Sequence, residues 1–181
     1  MRALVVYESM YGNTHAIAAQ VAAGLSAAIG TVEIVAADEV TPQQVSDADL
    51  LVVGGPTHAH GMTSAATRSS ARDAAHKPDS HLTLEHDSEG PGLRDWFDGL
   101  DKLTGTKAAG FDTRLDASVM LTGHASKGIC HRLSRHGCTL VAEPESFLVT
   151  KANELLPGEA DRAKHWGHAL ALAATPAHME R

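Results

Sequence analysis

The stretch VVYESMYGNTHAIAAQV, residues 5–21, decides how the rest of the chain is read. Its apolar run stops abruptly at Glu8-Ser9-Met10-Tyr11-Gly12-Asn13-Thr14 and then continues as an alanine-rich helical pattern. A plain strand-to-helix turn closes with far fewer special residues, so this turn is built to hold something. A helix N-terminus offers unpaired N–H groups and a partial positive charge. Ser9, Asn13 and Thr14 add side-chain donors, and Gly12 permits close backbone approach. The turn therefore reads as a phosphate cradle without a lysine or arginine, suited to a monoester phosphate held by hydrogen bonds and the helix dipole. The plainer alternative is an Asn/Thr helix cap with nothing bound.

Outward from this turn the chain alternates strands and helices. Residues 2–7 (RALVVY) read as a buried strand, and 15–29 as a helix with Ile17, Val21, Leu25 and Ile29 on one stripe. TVEIVAA (31–37) and DLLVVGG (49–55) are further strands, with a short helix opened by Thr41-Pro42 between them. TKAAGFD (106–112) is a fourth strand, and a helix covers about 124–136. CTLVAEPESFLV (138–149) is a fifth strand interrupted at Pro144, which places it at an edge or a bulge. A final helix runs from about 158 to 174 and stops before Pro176. Continuous apolar strands alternating with helices predict a three-layer α/β/α sandwich around a doubly wound, five-stranded parallel sheet.

Residues 64–90 interrupt this order. They begin helix-compatible (SAATRSSARDAAH) and loosen into KPDSHLTLEHDSEGPG, which reads as a partly mobile insertion in a single domain spanning 1–181. A helix then follows Pro91, with Leu93, Trp96, Phe97 and Leu100 on one face.

Composition narrows the function. The 181 residues suit one domain, and 43% hydrophobic with 20% charged residues describes a globular chain. A net charge of −7 argues against nucleic acid as partner and suits docking to basic surfaces, although ordinary solubility is the favoured account of it. No run approaches the ~18 apolar residues of a membrane span. The N-terminus has no secretory-leader pattern, and Cys130 and Cys138 form no CxxC, so the expected compartment is the cytoplasm with both thiols buried.

In a sheet of this type ligands lie at the carboxyl ends of strands where the strand order reverses. Special residues cluster there. After the third strand comes Gly54-Gly55-Pro56-Thr57-His58-Ala59-His60-Gly61-Met62, a rigid turn with a hydroxyl and residues able to flank a planar ring. His58-x-His60 lacks a carboxylate at usable spacing, so no metal is expected. After the fourth strand come Phe111, Asp112, Thr113 and Arg114, while Gly123-His124-Ala125-Ser126 opens the next helix nearby. No GxxxxGK[ST] or GxGxxG is present at the first turn, and GHASKG sets Ser126 one residue out of a nucleophile elbow.

The S-M-Y-G-N-T turn resembles the (S/T)-x-(T/Y)-G-N-T phosphate loop of the flavodoxin family. GGPTHAHGM resembles its loop over the flavin ring, and HRLSRHGCTLVAEPESFLV with the closing helix resembles its last α/β segment. The resemblance implies strand order 2-1-3-4-5 and FMN as cofactor. It assigns Ser9, Met10, Tyr11, Gly12, Asn13 and Thr14 to the phosphate. It assigns Pro56, Thr57, His58, Ala59, His60 and Gly61 to one side of the ring, and Phe111, Asp112, Thr113 and Arg114 to the other. Electron-carrying members usually sandwich the ring between a tryptophan and a tyrosine, and neither ring-side loop contains one. Histidines and an arginine there are expected to favour an anionic reduced flavin.

The function implied is electron transfer to a redox partner protein or small acceptor, with no catalytic residues and with the acidic run Glu85–Asp101 as one docking face. The alternative is an NAD(P)H:quinone-type oxidoreductase on the same fold, with His58, His60 or Arg114 handling protons or anions. A cofactor-free interaction module is the third reading.

Overall fold

Strands whose residues are apolar on both faces are stable only between two helical layers. Such strands form the centre of this fold. The computed structural model describes residues 1–175, with the side chains of Asp87 and Glu89 and the predicted stop at Pro176 outside the description. β1 (Arg2–Tyr7) buries every residue after Arg2, and β3 (Leu50–His58) buries its first seven. They pair in parallel from Ala3–Leu50 to Tyr7–Gly54. β2 (Thr31–Ala36) pairs on the other side of β1. β5 (Lys107–Leu115) continues beside β3 as far as Pro56–Thr113.

The sheet order is β2-β1-β3-β5-β6, the doubly wound 2-1-3-4-5 order once the added hairpin strand is set aside. That strand is β4 (Gly61–Met62), antiparallel to the end of β3. The fifth sheet position is split between β6 (Thr139–Leu140) and β7 (Glu145–Val149), both parallel to β5. Between them β5 advances from Ala108 to Phe111 while the outer strand advances from Leu140 to Glu145, so the expected interruption at Pro144 is a bulge at the edge.

Alternate strand residues face opposite layers. Ala3, Val5, Tyr7, Val52, Phe111 and Phe147 pack under α1 (Asn13–Leu25) and α7 (Glu159–Ala174). Leu4, Val6, Leu51, Val53 and Ala108 pack against α2 (Pro42–Ser46), α4 (Leu93–Asp98) and α6 (Ala125–Arg135). α1 and α7 touch through glycine: a Cβ on Gly167 would lie 2.2 Å from the carbonyl oxygen of Val21. Thr41 caps α2 through a capping box with Gln44, as the Thr-Pro signal predicts.

The 64–90 segment carries α3 (Ala65–Ala75), capped by Ser64, and a 3₁₀ turn at His86–Glu89. α5 (Val119–Thr122) is a single exposed turn ahead of α6, with Met120 91% and Leu121 73% exposed. Among the described residues no helix is long and apolar enough to cross a membrane.

Candidate functional site

Gly12 takes the left-handed conformation (φ 93°) at the N-cap of α1, a backbone state that costs a side-chain-bearing residue about 1 kcal/mol or more. The Gly12 N–H donates to Ser9 Oγ at 3.1 Å, folding the turn back onto itself. Intrahelical bonding begins with Ala16 N–H to Gly12 O. The N–H groups of Asn13, Thr14 and His15 have no acceptor among the described residues, the normal state of a first helical turn and the condition an anion satisfies.

This turn opens into a cavity of about 270 Å³ at the carboxyl edge of the sheet. Ser9, Met10, Tyr11, Asn13 and Thr14 line it from the β1–α1 turn, Pro56, Thr57 and His58 from β3, and Thr113 and Arg114 from β5. Register explains the meeting: Pro56 and Thr113 are directly paired. Hydrogen bonds then join the walls. Thr14 Oγ1 and Thr113 Oγ1 share a proton contact at 2.8 Å, and Thr57 Oγ1 accepts the Ala125 N–H at 2.8 Å.

Five residues expected at the ring lie elsewhere. β5 runs three residues beyond its expected end because β7 pairs with Phe111–Leu115. Phe111 is consequently fully buried in the α1/α7 layer against Phe147 and Trp166. Asp112 is also fully buried, and its Oδ2 accepts the Ser126 N–H at 2.8 Å, serving the start of α6. Ala59, His60 and Gly61 form the β3–β4 hairpin, which turns away from the cavity; His60 bridges to Gly123 instead. The turn residues Ala59 (φ 46°) and His60 (φ 73°) are both left-handed, as a two-residue hairpin of this twist demands.

The fold also supplies residues that the sequence reading did not single out. Leu82, Leu115, Val149, Thr150, Lys151 and Asn153 line the same cavity. The cradle has no cation within its own loop, yet Lys151 reaches the cavity from the turn after β7. Asn13 is drawn to that turn: its Nδ2 donates to both the backbone oxygen and Oδ1 of Asn153, each at 2.9 Å. The signal was positional, since this turn also sits at the carboxyl end of a strand.

Glu8 is another such residue. It is 7% exposed, accepts the Leu93 N–H at 2.8 Å, and receives the Thr63 hydroxyl. One carboxylate thus ties the end of β1 to the far side of the hairpin and to the first turn of α4. Buried Arg68 pairs with Asp95 at 2.9 Å on the same side.

The 64–90 segment lies against the cradle. Tyr11 Oη donates to Ala71 O at 2.8 Å, the Glu85 N–H donates to Met10 O at 3.0 Å, and the Glu85 carboxylate sits 3.2 Å from His15 Nδ1.

Electrostatically the ring side is less cationic than expected. Burial pushes the His58 imidazole below its ordinary range, outweighing the opposing pull of Glu8, so His58 is neutral at pH 7. Arg114 stays at the rim, its Nη1 donating to Leu115 O (3.2 Å) and Ala117 O (3.0 Å), while its buried Nε has no acceptor among the described residues. Tyr11 is the single Trp or Tyr lining the cavity among the described residues; Trp96 packs on Phe97 and Trp166 on Phe111 and Phe147. No group of metal-ligating side chains occurs among the described residues.

The donor set suits a flavin mononucleotide: open helix-terminal amides, hydroxyls and a lysine for a phosphate, and a slot of mixed polar and apolar walls continuing from them. No curated protein matches the chain. Its structure is similar to that of a flavodoxin from the domain Archaea (18% identity, 96% of this chain and 99% of that one, TM-score 0.65). It is likewise similar to two-electron reduced Megasphaera elsdenii flavodoxin (24%, 95% and 98%, TM-score 0.60) and to oxidised flavodoxin 1 of Bacillus cereus (18%, 92% and 95%, TM-score 0.61). The flavodoxin family model matches residues 5–111. With more than half its length under that model and this fold around the cradle, the chain belongs to the flavodoxin family, whose cofactor is FMN.

Proposed function

We propose that the chain is an FMN-dependent electron carrier whose cofactor occupies the cavity between the β1–α1 turn and the turns after β3, β5 and β7. The observation supporting this most is the continuity of that cavity, from the open first turn of α1 to the Pro56–His58 and Thr113–Leu115 walls. When bound, FMN supplies one- and two-electron transfer. The chain supplies grip and surroundings. The first-turn amides of α1 and the Ser9 hydroxyl hold the phosphate, and Lys151 offsets its charge. Asn13 fixes the Asn153 turn against the cradle, so it acts by holding two walls together. Neutral His58 and rim-bound Arg114 set the charge felt at the ring.

As a carrier the protein needs a docking face. Three acids of the run from Glu85 are paired within the chain, with Glu85 beside His15, Asp95 paired to Arg68 and Asp98 paired to Arg132. Exposed apolar residues lie closer to the ring side: Leu115 lines the cavity at 46% exposure, and Met120 and Leu121 follow on α5. This apolar rim is the surface assigned to the redox partner.

An absorbance titration with FMN tests the reading. Saturable shifts at micromolar FMN are expected, with Kd raised roughly tenfold or more in the Asn13→Ala/Thr14→Ala double variant, because the Asn13–Asn153 and Thr14–Thr113 bonds that hold the cavity walls together are lost. No binding at micromolar FMN refutes it. Steady NAD(P)H consumption with a quinone and no partner protein would favour the reductase instead.

A further inference from the structure

The β3–β4 hairpin has a second cleft on its other side, about 450 Å³ in volume, between the hairpin, α4 and α6. The flavin cavity takes its lining from Pro56–His58, and this cleft from His60, Gly61 and Met62. Three guanidinium groups, Arg94, Arg132 and Arg135, line it against a single carboxylate, Asp98. That concentration of positive charge stands out in a chain of net charge −7.

The sequence places these groups deliberately. In α6, Ile129, Cys130 and Leu133 face the core, which leaves Gly128, His131 and Arg135 on the cleft side at helical spacing. Gly128 contributes no side chain to the stripe, which deepens it. Arg94 is held in place by donating Nε to Thr63 O (2.7 Å) and Nη2 to Met62 O (2.9 Å), which leaves its Nη1 without a partner among the described residues. Arg132 lies 5.8 Å over the Phe97 ring and gives only Nη1 to Asp98, at 2.6 Å. The side chains of Arg135, His131 and His60 have no hydrogen-bond or ion-pair partner among the described residues.

Guanidinium groups fixed at one edge and free at the other recognise planar or tetrahedral oxyanions through paired N–H donors. A flat basic surface would suit an acidic protein; a cleft lined by several guanidinium groups suits a small ligand. We infer that this cleft is a binding site for a small organic phosphate carrying at least two phosphate charges. The inference stands apart from the flavin reading, because none of the cleft residues lines the cofactor cavity.

Inorganic pyrophosphate is the probe. Amide shifts of the ¹⁵N-labelled protein are followed during its titration, and Gly61, Gly128, His131 and Arg135 are expected to move together and saturate below about 1 mM. Arg135→Glu should raise Kd at least about tenfold, as loss of a charge-assisted pair implies. Lys127→Glu makes the same charge change on α6 outside the cleft and should raise it less than about threefold, since exposed charges beyond the contact are screened. Both positions are exposed, so neither variant threatens the fold. Shifts confined to residues 9–15, no saturation by about 10 mM, or equal weakening by the two variants would each overturn the site. Shifts at residues 9–15 report the phosphate loop separately, so failure of this site is distinct from failure of the flavin one.

Discussion

Replacing Glu8 by alanine should uncouple the two sides of the hairpin. The carboxylate accepts the Leu93 N–H and the Thr63 hydroxyl, and both of those residues are 1% exposed, so neither group can turn to water when its acceptor is lost. Hydrogen bonds to a charged group contribute about 1.5–3 kcal/mol each, and two of them make a loss of about 3–6 kcal/mol. For a chain of this length about 1 kcal/mol corresponds to about 2–4 °C, so Tm should fall by about 6–24 °C. Glu8→Gln keeps the volume and one acceptor oxygen and should lose roughly half as much. The assay is thermal unfolding followed by circular dichroism, with and without FMN. FMN affinity should fall too, because Leu93 and Thr63 brace the hairpin that carries Pro56–His58. A Glu8→Ala melt within about 2 °C of the parent would refute the reasoning, since two buried donors cannot lose their acceptor at so small a cost.

Lys151→Gln should weaken FMN roughly three- to tenfold at low ionic strength and less at high salt, measured by quenching of flavin fluorescence. Gly167→Ala sets two effects against each other: helix propensity favours alanine by about 1 kcal/mol, but overpacking against Val21 costs about 1–3 kcal/mol, so urea unfolding should show net destabilisation. Burial pushes the Cys130 and Cys138 thiols up to about 11 from an ordinary 9.0, so the folded state holds their protons longer than the unfolded state. Stability from this source is therefore intact below about pH 9 and falls as pH rises towards about 11, and a Cys130→Ala/Cys138→Ala variant should show a shallower decline in its urea midpoint across that range.

Strands that are apolar on both faces announce a parallel sheet, and β1, β3 and β5 were readable for that reason. The cradle was readable because Ser9 to Thr14 are contiguous and their residue types suit one task. Other parts of the site were hidden by distance and by strand ends. Asn153 meets Asn13 across 140 residues, and Leu93 meets Glu8 across 85, with no local pattern marking either. Phe111 and Asp112 looked like loop residues because the apolar run stops there. Pairing with β7 extends the strand through Leu115, and Thr113–Leu115 rather than Phe111–Asp112 reach the cavity. The hairpin escaped because its left-handed positions hold Ala59 and His60 where Asn-Gly would ordinarily signal the turn.

The split of the outer strand bears on strand-to-strand association between molecules. An intact strand at that edge would present a continuous ladder of unpaired N–H and C=O groups, ready to recruit another chain's strand. Here the ladder comes in pieces of two and five residues, out of step by the bulge, and Pro144 offers no N–H between them. An incoming strand cannot match both pieces at once. The irregularity that cost the fifth strand its regular pairing therefore guards this edge of the sheet against edge-to-edge aggregation.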